Sequence, residues 1–125
     1  MCLGLYDLLF IGEMVRNRGY ANGRQVVPAS WIDDMIAVRD NGIWRAQNHA
    51  EGPRLFTDGN YRLLWYQTGF ADQEFCAIGI HGQWLWINPQ KEMVIVKMAS
   101  HDKEVDSAID RVMLAAFAAI SNALS

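Results

Sequence analysis

Cysteine is scarce in this chain of 125 residues, which contains only Cys2 and Cys76. The two cysteines lie in apolar surroundings and lack the close spacing of metal ligands, so the sequence supports neither a disulfide framework nor a cysteine-based zinc site. Reduced, buried thiols are typical of a reducing compartment. We therefore expect a cytoplasmic protein, and a periplasmic one stays open if the natural chain begins before Met1.

Long apolar runs and basic surfaces are also lacking. No run reaches the roughly 18 apolar residues of a membrane span, and the first residues do not show the basic-then-apolar order of a signal peptide. The formal net charge is -3 and the pI is about 5.5, which provides no basic surface for a phosphate backbone. The sequence predicts neither a membrane nor a nucleic-acid partner.

Apolar residues, by contrast, are plentiful. They make up 51% of the chain, which is enough for a core in a chain of this length. The first residues enter a helical pattern directly, with no preceding strand, as expected of a segment that continues a larger structure. We interpret residues 1–125 as a single domain or as a fragment of one.

Three stretches have the apolar spacing of amphipathic helices. Residues 5–18 carry an apolar stripe in which Gly12 permits close packing, a second helix follows Pro28, and a third begins near residue 105. Residues 39–60 lack such periodicity and predict a long surface loop. That loop is either a solvated connection or the border of a functional site.

Aromatic and β-branched residues predict four strands, at residues 61–68, 75–80, 83–88 and 93–99. Asn88-Pro89 separates the last two, which therefore predict a β-hairpin with both faces covered. Because strand side chains alternate, Trp65 and Tyr66 should face opposite sides, so at most one of them lines a given pocket. The expected fold is α/β of the α+β type, an antiparallel sheet of about four strands with the N- and C-terminal helices packed on one face.

Few residues have the spacing that catalysis or metal binding requires. The histidines His49, His81 and His101 lack metal-ligand spacing, so we expect no metal. Ser100 and Lys103 match Ser-x-x-Lys, in which a lysine amine acts as the base for a serine hydroxyl. The match lies in a polar connection and not at the start of an apolar helix, so chance explains it better.

Two residues near the hairpin allow two interpretations each. His81 lies between Gly79 and Gly82 at a strand end, where bare backbone can approach a ligand. It is either a functional residue or a hydrogen-bonded turn histidine. Lys97, inside the last strand, is either a solvated edge residue, which is the commoner case, or a buried charge with a partner.

Several motifs follow one another in a definite order. They are Gly4-Leu5-Tyr6-Asp7-Leu8, Gly12-Glu13-Met14, Gly19, residues 22–31, Tyr61, Trp65-Tyr66, Gly79-Ile80-His81-Gly82-Gln83, Ile87-Asn88-Pro89 and Met93-Val94-Ile95-Val96-Lys97. Their order and spacing resemble the C-terminal part of the β-lactamase-like serine hydrolases, in the class C branch that includes 6-aminohexanoate-dimer hydrolases and related esterases. The resemblance runs nearly end to end.

The resemblance implies an acyl-serine mechanism with neither a metal nor an organic cofactor. In that family a serine in Ser-x-x-Lys is acylated, while the lysine and a tyrosine move protons. Both motifs precede the matched region, so this chain alone should be inactive. The third family motif, of the Lys-Thr-Gly type, maps onto Ala77-Ile78-Gly79, which lacks the lysine and the hydroxyl. That departure argues against good β-lactamase activity.

The same resemblance implies a candidate site. The backbone N–H of Ile80 is expected to be the second oxyanion-hole donor, with Gly79, His81 and Tyr66 bordering the substrate. The implied partners are a small amide or ester substrate and either the missing N-terminal part or a second copy of the chain. A second class of function stays open, a non-catalytic binding or oligomerisation module that reuses half of the fold.

Overall fold

A computed structural model describes residues 3–37, 39–51 and 55–124, with residues 48–51 described by their backbone alone. The helices are α1 (Leu5–Arg16), α2 (Ala29–Ile36), α3 (Gly42–Glu51) and α4 (Ser107–Ala123). The strands are β1 (Tyr20–Ala21), β2 (Arg24–Gln25), β3 (Asn60–Arg62), β4 (Trp65–Gln67), β5 (Phe75–Gly79), β6 (Gln83–Asn88) and β7 (Met93–Lys97). None of the described helices is both long and apolar enough to cross a membrane.

An antiparallel sheet with the strand order β3-β4-β5-β6-β7 forms the centre of the described chain, and β1 and β2 pair in a separate ribbon. The predicted β6–β7 hairpin is confirmed, with Asn88 paired to Met93 at its closed end. The Asn88 side chain is fully buried, and its Oδ1 accepts the N–H of Lys91 at 3.0 Å. The α+β class and the antiparallel sheet are therefore confirmed.

Local capping sets the ends of the two long helices. At the start of α1 the Gly4 N–H donates to the Asp7 carboxylate at 2.9 Å. After α1 the chain turns at Gly19, whose φ of +84° favours glycine. At the start of α4 the Asp106 carboxylate accepts the N–H groups of Ala108 and Ile109, at 3.1 and 3.3 Å. These short-range signals explain why both helices were predictable.

The prediction that the N- and C-terminal helices share one sheet face is wrong. Helices α1 and α2 pack with Ile87 and Val94, whereas α4 packs with Trp84 and Trp86. Alternate residues of β6 point to opposite faces, so the two sets of contacts lie on opposite sides of the sheet. Each helix covers one face, which explains the consecutive apolar residues in β6.

The predicted strand at residues 61–68 is two strands. Leu63 and Leu64 form a two-residue turn, with φ values of +49° and +72°, and Arg62 pairs with Trp65 across it. Hairpin turns with two left-handed residues usually contain Asn or Gly. Because two leucines occupy this turn, the sequence contained no signal for it, and the sheet has five strands instead of about four.

The predicted loop at residues 39–60 contains helix α3, so that prediction is also wrong, although residues 52–54 lie outside the described residues. The Asp40 carboxylate accepts the Gly42 N–H at 2.9 Å at the start of the helix. Trp44 is buried, and its Nε1 donates to the Phe56 carbonyl at 2.6 Å. Trp44 is the one buried anchor among residues 42–47, the part of α3 whose side chains are described, and this sequence lacks the apolar periodicity that identifies a helix.

Candidate functional site

A cavity of about 420 Å³ opens between β5, the start of α4 and the aromatic residues around α3. Tyr66, Gly79 and Ile80, three of the predicted site residues, line it together. The other lining residues are Trp44, Leu55, Phe56, Ile78, Gly82, His101, Lys103, Glu104, Val105, Asp106, Ser107 and Asp110. Three of the four residues that the resemblance selected therefore come together at one concave surface, and His81 is not among its lining residues.

The Ile80 N–H lies on an uncovered edge of the sheet. The Thr68 N–H donates to the Glu74 carbonyl at 3.1 Å, so every second residue of β5 from Glu74 onward turns its backbone polar groups toward β4. Strand β4 begins at Trp65, so the continuation of this edge, at Ile78 and Ile80, has no neighbouring strand within the described part of the chain. Among the described residues no acceptor takes the Ile80 N–H.

Tyr66 forms part of an aromatic wall. Its ring contacts Trp44 edge-on, with a centroid distance of 6.1 Å, and lies 6.3 Å from the ring of Phe56. Trp65 packs on the opposite face with Phe75, at a centroid distance of 5.5 Å. The predicted alternation is confirmed, and only Tyr66 of the pair reaches the cavity.

Charged groups surround the entrance near α4. Burial raises the pKa of Asp110, as does neighbouring Asp106, while Lys97 and His101 act in the opposite direction. The pKa of Asp106 is lowered, first by the Ile109 N–H that its carboxylate caps. The pKa of Asp110 is therefore raised and that of Asp106 is lowered, although the two carboxylates lie one helical turn apart at the start of α4.

His81 lies in the turn between β5 and β6, next to the cavity but not among its lining residues. Its N–H donates to the Glu104 carbonyl at 2.9 Å, and its carbonyl accepts the His101 N–H at 3.1 Å. Its ring nitrogen Nδ1 lies 2.9 Å from the His101 carbonyl oxygen. These contacts favour the turn-histidine interpretation, and substrate contact by His81 stays a prediction.

Lys97 follows the less common of its two interpretations. Its side chain is half-buried, and Nζ donates to the Gly82 carbonyl at 2.8 Å. Nζ also lies 3.4 Å from His101 Nε2. Lys97 therefore links the last strand of the sheet to the turn that carries Ile80.

Ser100 and Lys103 do not form a serine–lysine pair in a helix. They lie in the irregular segment between β7 and α4, where Ser100 is exposed. Lys103 Nζ lies 3.4 Å from the Asp106 carboxylate, an ion pair at the surface. The segment lacks the helical turn that would bring the amine to the hydroxyl.

The sequence did not identify several of the residues that line the cavity. Trp44 and Phe56 belong to the supposed loop, His101 lies in a Ser-x-x-Lys match that was attributed to chance, and Asp110 lies on a helix without a recognised motif. The isolated aromatic residues within the polar stretch were the available signal, because a tryptophan in such a stretch is usually buried.

Comparisons with known proteins identify relatives of this chain. No protein-family profile matches the chain. The 6-aminohexanoate-dimer hydrolase of Paenarthrobacter ureafaciens is 35% identical over 94 residues, which cover 75% of this chain and 23% of that enzyme. The solved structure titled "Putative 6-aminohexanoate-dimer hydrolase from Bacillus anthracis" matches with a TM-score of 0.77 and 24% identity, over 96% of this chain and 29% of that one.

These matches cover most of this chain but only part of each relative. The chain spans about a quarter of the length of the curated enzyme that it matches. At its level of identity the solved structure shows a shared fold, that of the β-lactamase-like hydrolases. The chain is therefore homologous to 6-aminohexanoate-dimer hydrolase, a serine hydrolase of the β-lactamase-like family, along a segment that fits a C-terminal part.

Proposed function

We propose that this chain is the C-terminal part of a serine hydrolase that cleaves amide or ester bonds through an acyl-serine intermediate. The observation that supports this most directly is the Ile80 N–H on the open edge of β5, a backbone donor to which the described residues offer no acceptor, beside a cavity of about 420 Å³. In the proposal the preceding part of the enzyme supplies the serine, its lysine base and the proton-transferring tyrosine.

The proposed role of this half-site is to stabilise charge. When the serine oxygen attacks the substrate carbonyl carbon, the carbonyl electron pair moves onto oxygen. The Ile80 N–H and the N–H of the serine itself would donate to that oxyanion. Collapse of the intermediate expels the amine or alcohol, and water then releases the acyl group from the serine. Because the Ile80 donor is main chain, its side chain is free to shape the pocket together with Tyr66 and Gly79.

We propose an aliphatic amide or ester as the substrate. The name of the Paenarthrobacter relative indicates a dimer of 6-aminohexanoate, a linear amide with methylene chains. In the present chain Trp44, Leu55, Phe56 and Tyr66 provide an apolar wall beside the Ile80 N–H. Such a wall suits a methylene chain, which gains from burial and needs no hydrogen bonds.

A chimaeric enzyme tests the proposal. This chain would replace the matching segment of the Paenarthrobacter hydrolase, with either Ile80→Val, which keeps the N–H, or Ile80→Pro, which removes it. We expect the valine form to hydrolyse the 6-aminohexanoate dimer and the proline form to lose about 10²- to 10³-fold in kcat. Full activity after Ile80→Pro would contradict the oxyanion role, and a folded but inactive valine form would contradict the hydrolase assignment.

The isolated chain provides the matched negative control. Residues 1–125 should not hydrolyse p-nitrophenyl acetate above background, because the chain contains Ser100 and Lys103 without a catalytic arrangement of the two. A burst of nitrophenol that Ser100→Ala abolishes would show that the chain has its own nucleophile.

An oligomerisation module is the second candidate, and exposed apolar residues on α1 support it. Tyr6 and Phe10, one helical turn apart, are 72% and 69% exposed. Strand β7 pairs only with β6 among the described strands, which leaves a free edge next to α1, whose Gly12 packs against Val94 of β7. Large exposed apolar patches usually mark interfaces. A native mass twice that of the chain, lost on Phe10→Ser, would favour this candidate.

We also propose a cytoplasmic location. Cys76 is a free cysteine with no exposed surface, and burial raises the pKa of its thiol. A protected thiol suits a reducing compartment.

A further inference from the structure

The turn that carries Ile80 is joined to a second segment of the chain. This segment, residues 98–106, links β7 to α4 and is called the connector. Two backbone hydrogen bonds pair His81 with it, from the His81 N–H to Glu104 and from the His101 N–H to His81. Gln83 Nε2 also donates to the Ala99 carbonyl. The turn is therefore not a free loop.

Two side chains add bonds whose donors are defined by chemistry. A carbonyl oxygen only accepts, so His81 Nδ1, 2.9 Å from the His101 carbonyl, carries a proton and donates. A lysine ammonium only donates, and Lys97 Nζ lies 3.4 Å from His101 Nε2. Lys97 donates in addition to the Gly82 carbonyl at 2.8 Å.

The backbone of the turn is held in a conformation that it would rarely adopt alone. His81 has a φ of +61° and Gly82 a φ of +85°, both in the left-handed region. A Cβ on Gly82 would lie 2.7 Å from the His101 ring and 3.1 Å from Lys97 Nζ. Residues in this region persist when their surroundings determine the conformation. Here the surroundings are the connector and Lys97.

We propose that His81 and Lys97 are positioning residues for the Ile80 N–H, an inference that rests on the proposed function. Gly79 is fixed on one side by its pairing with Gln83 in the sheet. His81 is fixed on the other side by the connector, so the peptide between them has one orientation. The ring bond of His81 and the ammonium bond of Lys97 thereby aim the Ile80 N–H into the cavity without touching the substrate.

The test on residues 1–125 uses amide resonances. His81→Ala removes the ring bond and is expected to shift the Ile80 amide resonance, while the amide resonances of β6 keep their positions. His81→Asn should leave the Ile80 resonance in place, because Asn tolerates the left-handed region and its amide can donate to the same carbonyl. A purely structural role would shift amide resonances throughout the sheet. The proposal is overturned if the Ile80 amide resonance does not change in His81→Ala, or if it changes equally in the two variants.

Lys97→Met provides a second variant that does not depend on the fold tolerating a change at His81. It keeps the length of the side chain and removes its bond to Gly82, so the Ile80 amide should shift. Lys91→Met is the matched control, since Lys91 lies near Ser121 at the far end of the hairpin. The Lys91 variant should leave the Ile80 amide unchanged. Equal shifts in the two methionine variants would overturn the proposal.

The chimaeric hydrolase separates this inference from the proposed function. His81→Ala should lower kcat by about 10- to 100-fold with little change in KM, and His81→Asn should restore it. An active chimaera that is indifferent to His81→Ala overturns the positioning role and leaves the hydrolase assignment intact. A folded but inactive chimaera, with an Ile80 amide that still responds in the isolated chain, supports the positioning role and removes the hydrolase assignment.

Discussion

The two faces of the sheet are packed by different kinds of side chain. On the face covered by α1 and α2 the contacts are mostly aliphatic, and Gly12 lets α1 approach so closely that a Cβ there would lie 2.5 Å from Val94 Cγ1 and 2.8 Å from Leu85 Cδ1. On the face covered by α4 the contacts are aromatic. Phe117 packs against Trp84 and Trp86, with centroid distances of 5.6 and 5.3 Å.

The difference shows where this chain can hold a ligand. Aliphatic side chains against a bare glycine close the gap between helix and sheet. Aromatic rings meet edge-on or tilted, and large rigid rings around α3 and β4 leave a concave space beside them. The cavity with Tyr66 and Ile80 opens on this aromatic face. The aromatic face therefore combines core packing with the cavity that contains the predicted site residues.

The largest expected effect comes from removing the central ring of the aromatic face. Phe117 is 3% exposed, so Phe117→Ala should lower the free energy of unfolding by about 3–5 kcal/mol. It should also shift the amide resonances of Tyr66 and Ile80. Ile32→Ala, an equally buried truncation on the other face, should cost about 2–5 kcal/mol and leave those resonances in place. Urea unfolding and amide spectra measure both. Equal shifts in the two variants would remove the distinction between the faces.

A smaller effect is expected from overpacking the aliphatic face. Gly12→Ala gains about 1 kcal/mol of helix propensity, but its methyl group clashes with Val94 and Leu85, and overpacking costs about 1–3 kcal/mol. We expect a net loss of about 1 kcal/mol in urea unfolding. Val94→Ala in the same chain should relieve the clash, so the two changes should not be additive. Additive losses would show that Val94 does not limit the approach of α1.

The smallest effect concerns the half-buried Glu74, whose carboxylate accepts from Asn88 at the end of β6. Glu74 Oε1 and Asp72 Oδ2 accept from the Asn88 amide, at 3.3 and 3.1 Å, while Glu74 Oε2 is buried with no partner among the described residues. Burial raises the pKa of Glu74, and neighbouring Asp72 adds to the rise. A raised carboxyl pKa means that the folded state binds the proton more tightly than the unfolded state does. The folded state therefore loses stability as the pH rises from the ordinary carboxyl pKa of 4.5 through the raised pKa of Glu74.

Glu74→Gln should therefore stabilise the chain near neutral pH. The gain should be less than about 1 kcal/mol, because the carboxyl is only half-buried and water screens its charge. Unfolding measurements between about pH 4 and pH 8 should show the gain shrinking toward acid pH. A gain that is constant across this range would mean that ionisation of Glu74 is not its cause.

Much of the local structure was predictable, and the errors have specific causes. Strand β6 begins and ends where its aromatic and β-branched run predicted, because that pattern and the following Asn88-Pro89 turn are short-range signals. Helix α3 was missed because one buried tryptophan anchors it. The Leu63–Leu64 turn was missed because neither residue favours the left-handed conformation that the sheet imposes.

The candidate site was predictable only in part. Tyr66, Gly79 and Ile80 were identified through a motif resemblance, and the structure brings them to one cavity. Lys97 had two interpretations, of which the solvated one is the commoner for a strand lysine. Its bond to Gly82 exists because β7 and the turn meet across β6, a contact between residues 15 positions apart. No local pattern reports such a contact.

The sequence by itself determined the elements that depend on neighbouring residues: the apolar stripes of α1 and α4, the glycine that admits close packing, and the β6–β7 hairpin. Only the tertiary structure decided which sheet face each helix covers and what holds the turn at Ile80. Those outcomes depend on how segments distant in the chain cross and pack, and the free energy of that packing comes from contacts that no single segment contains.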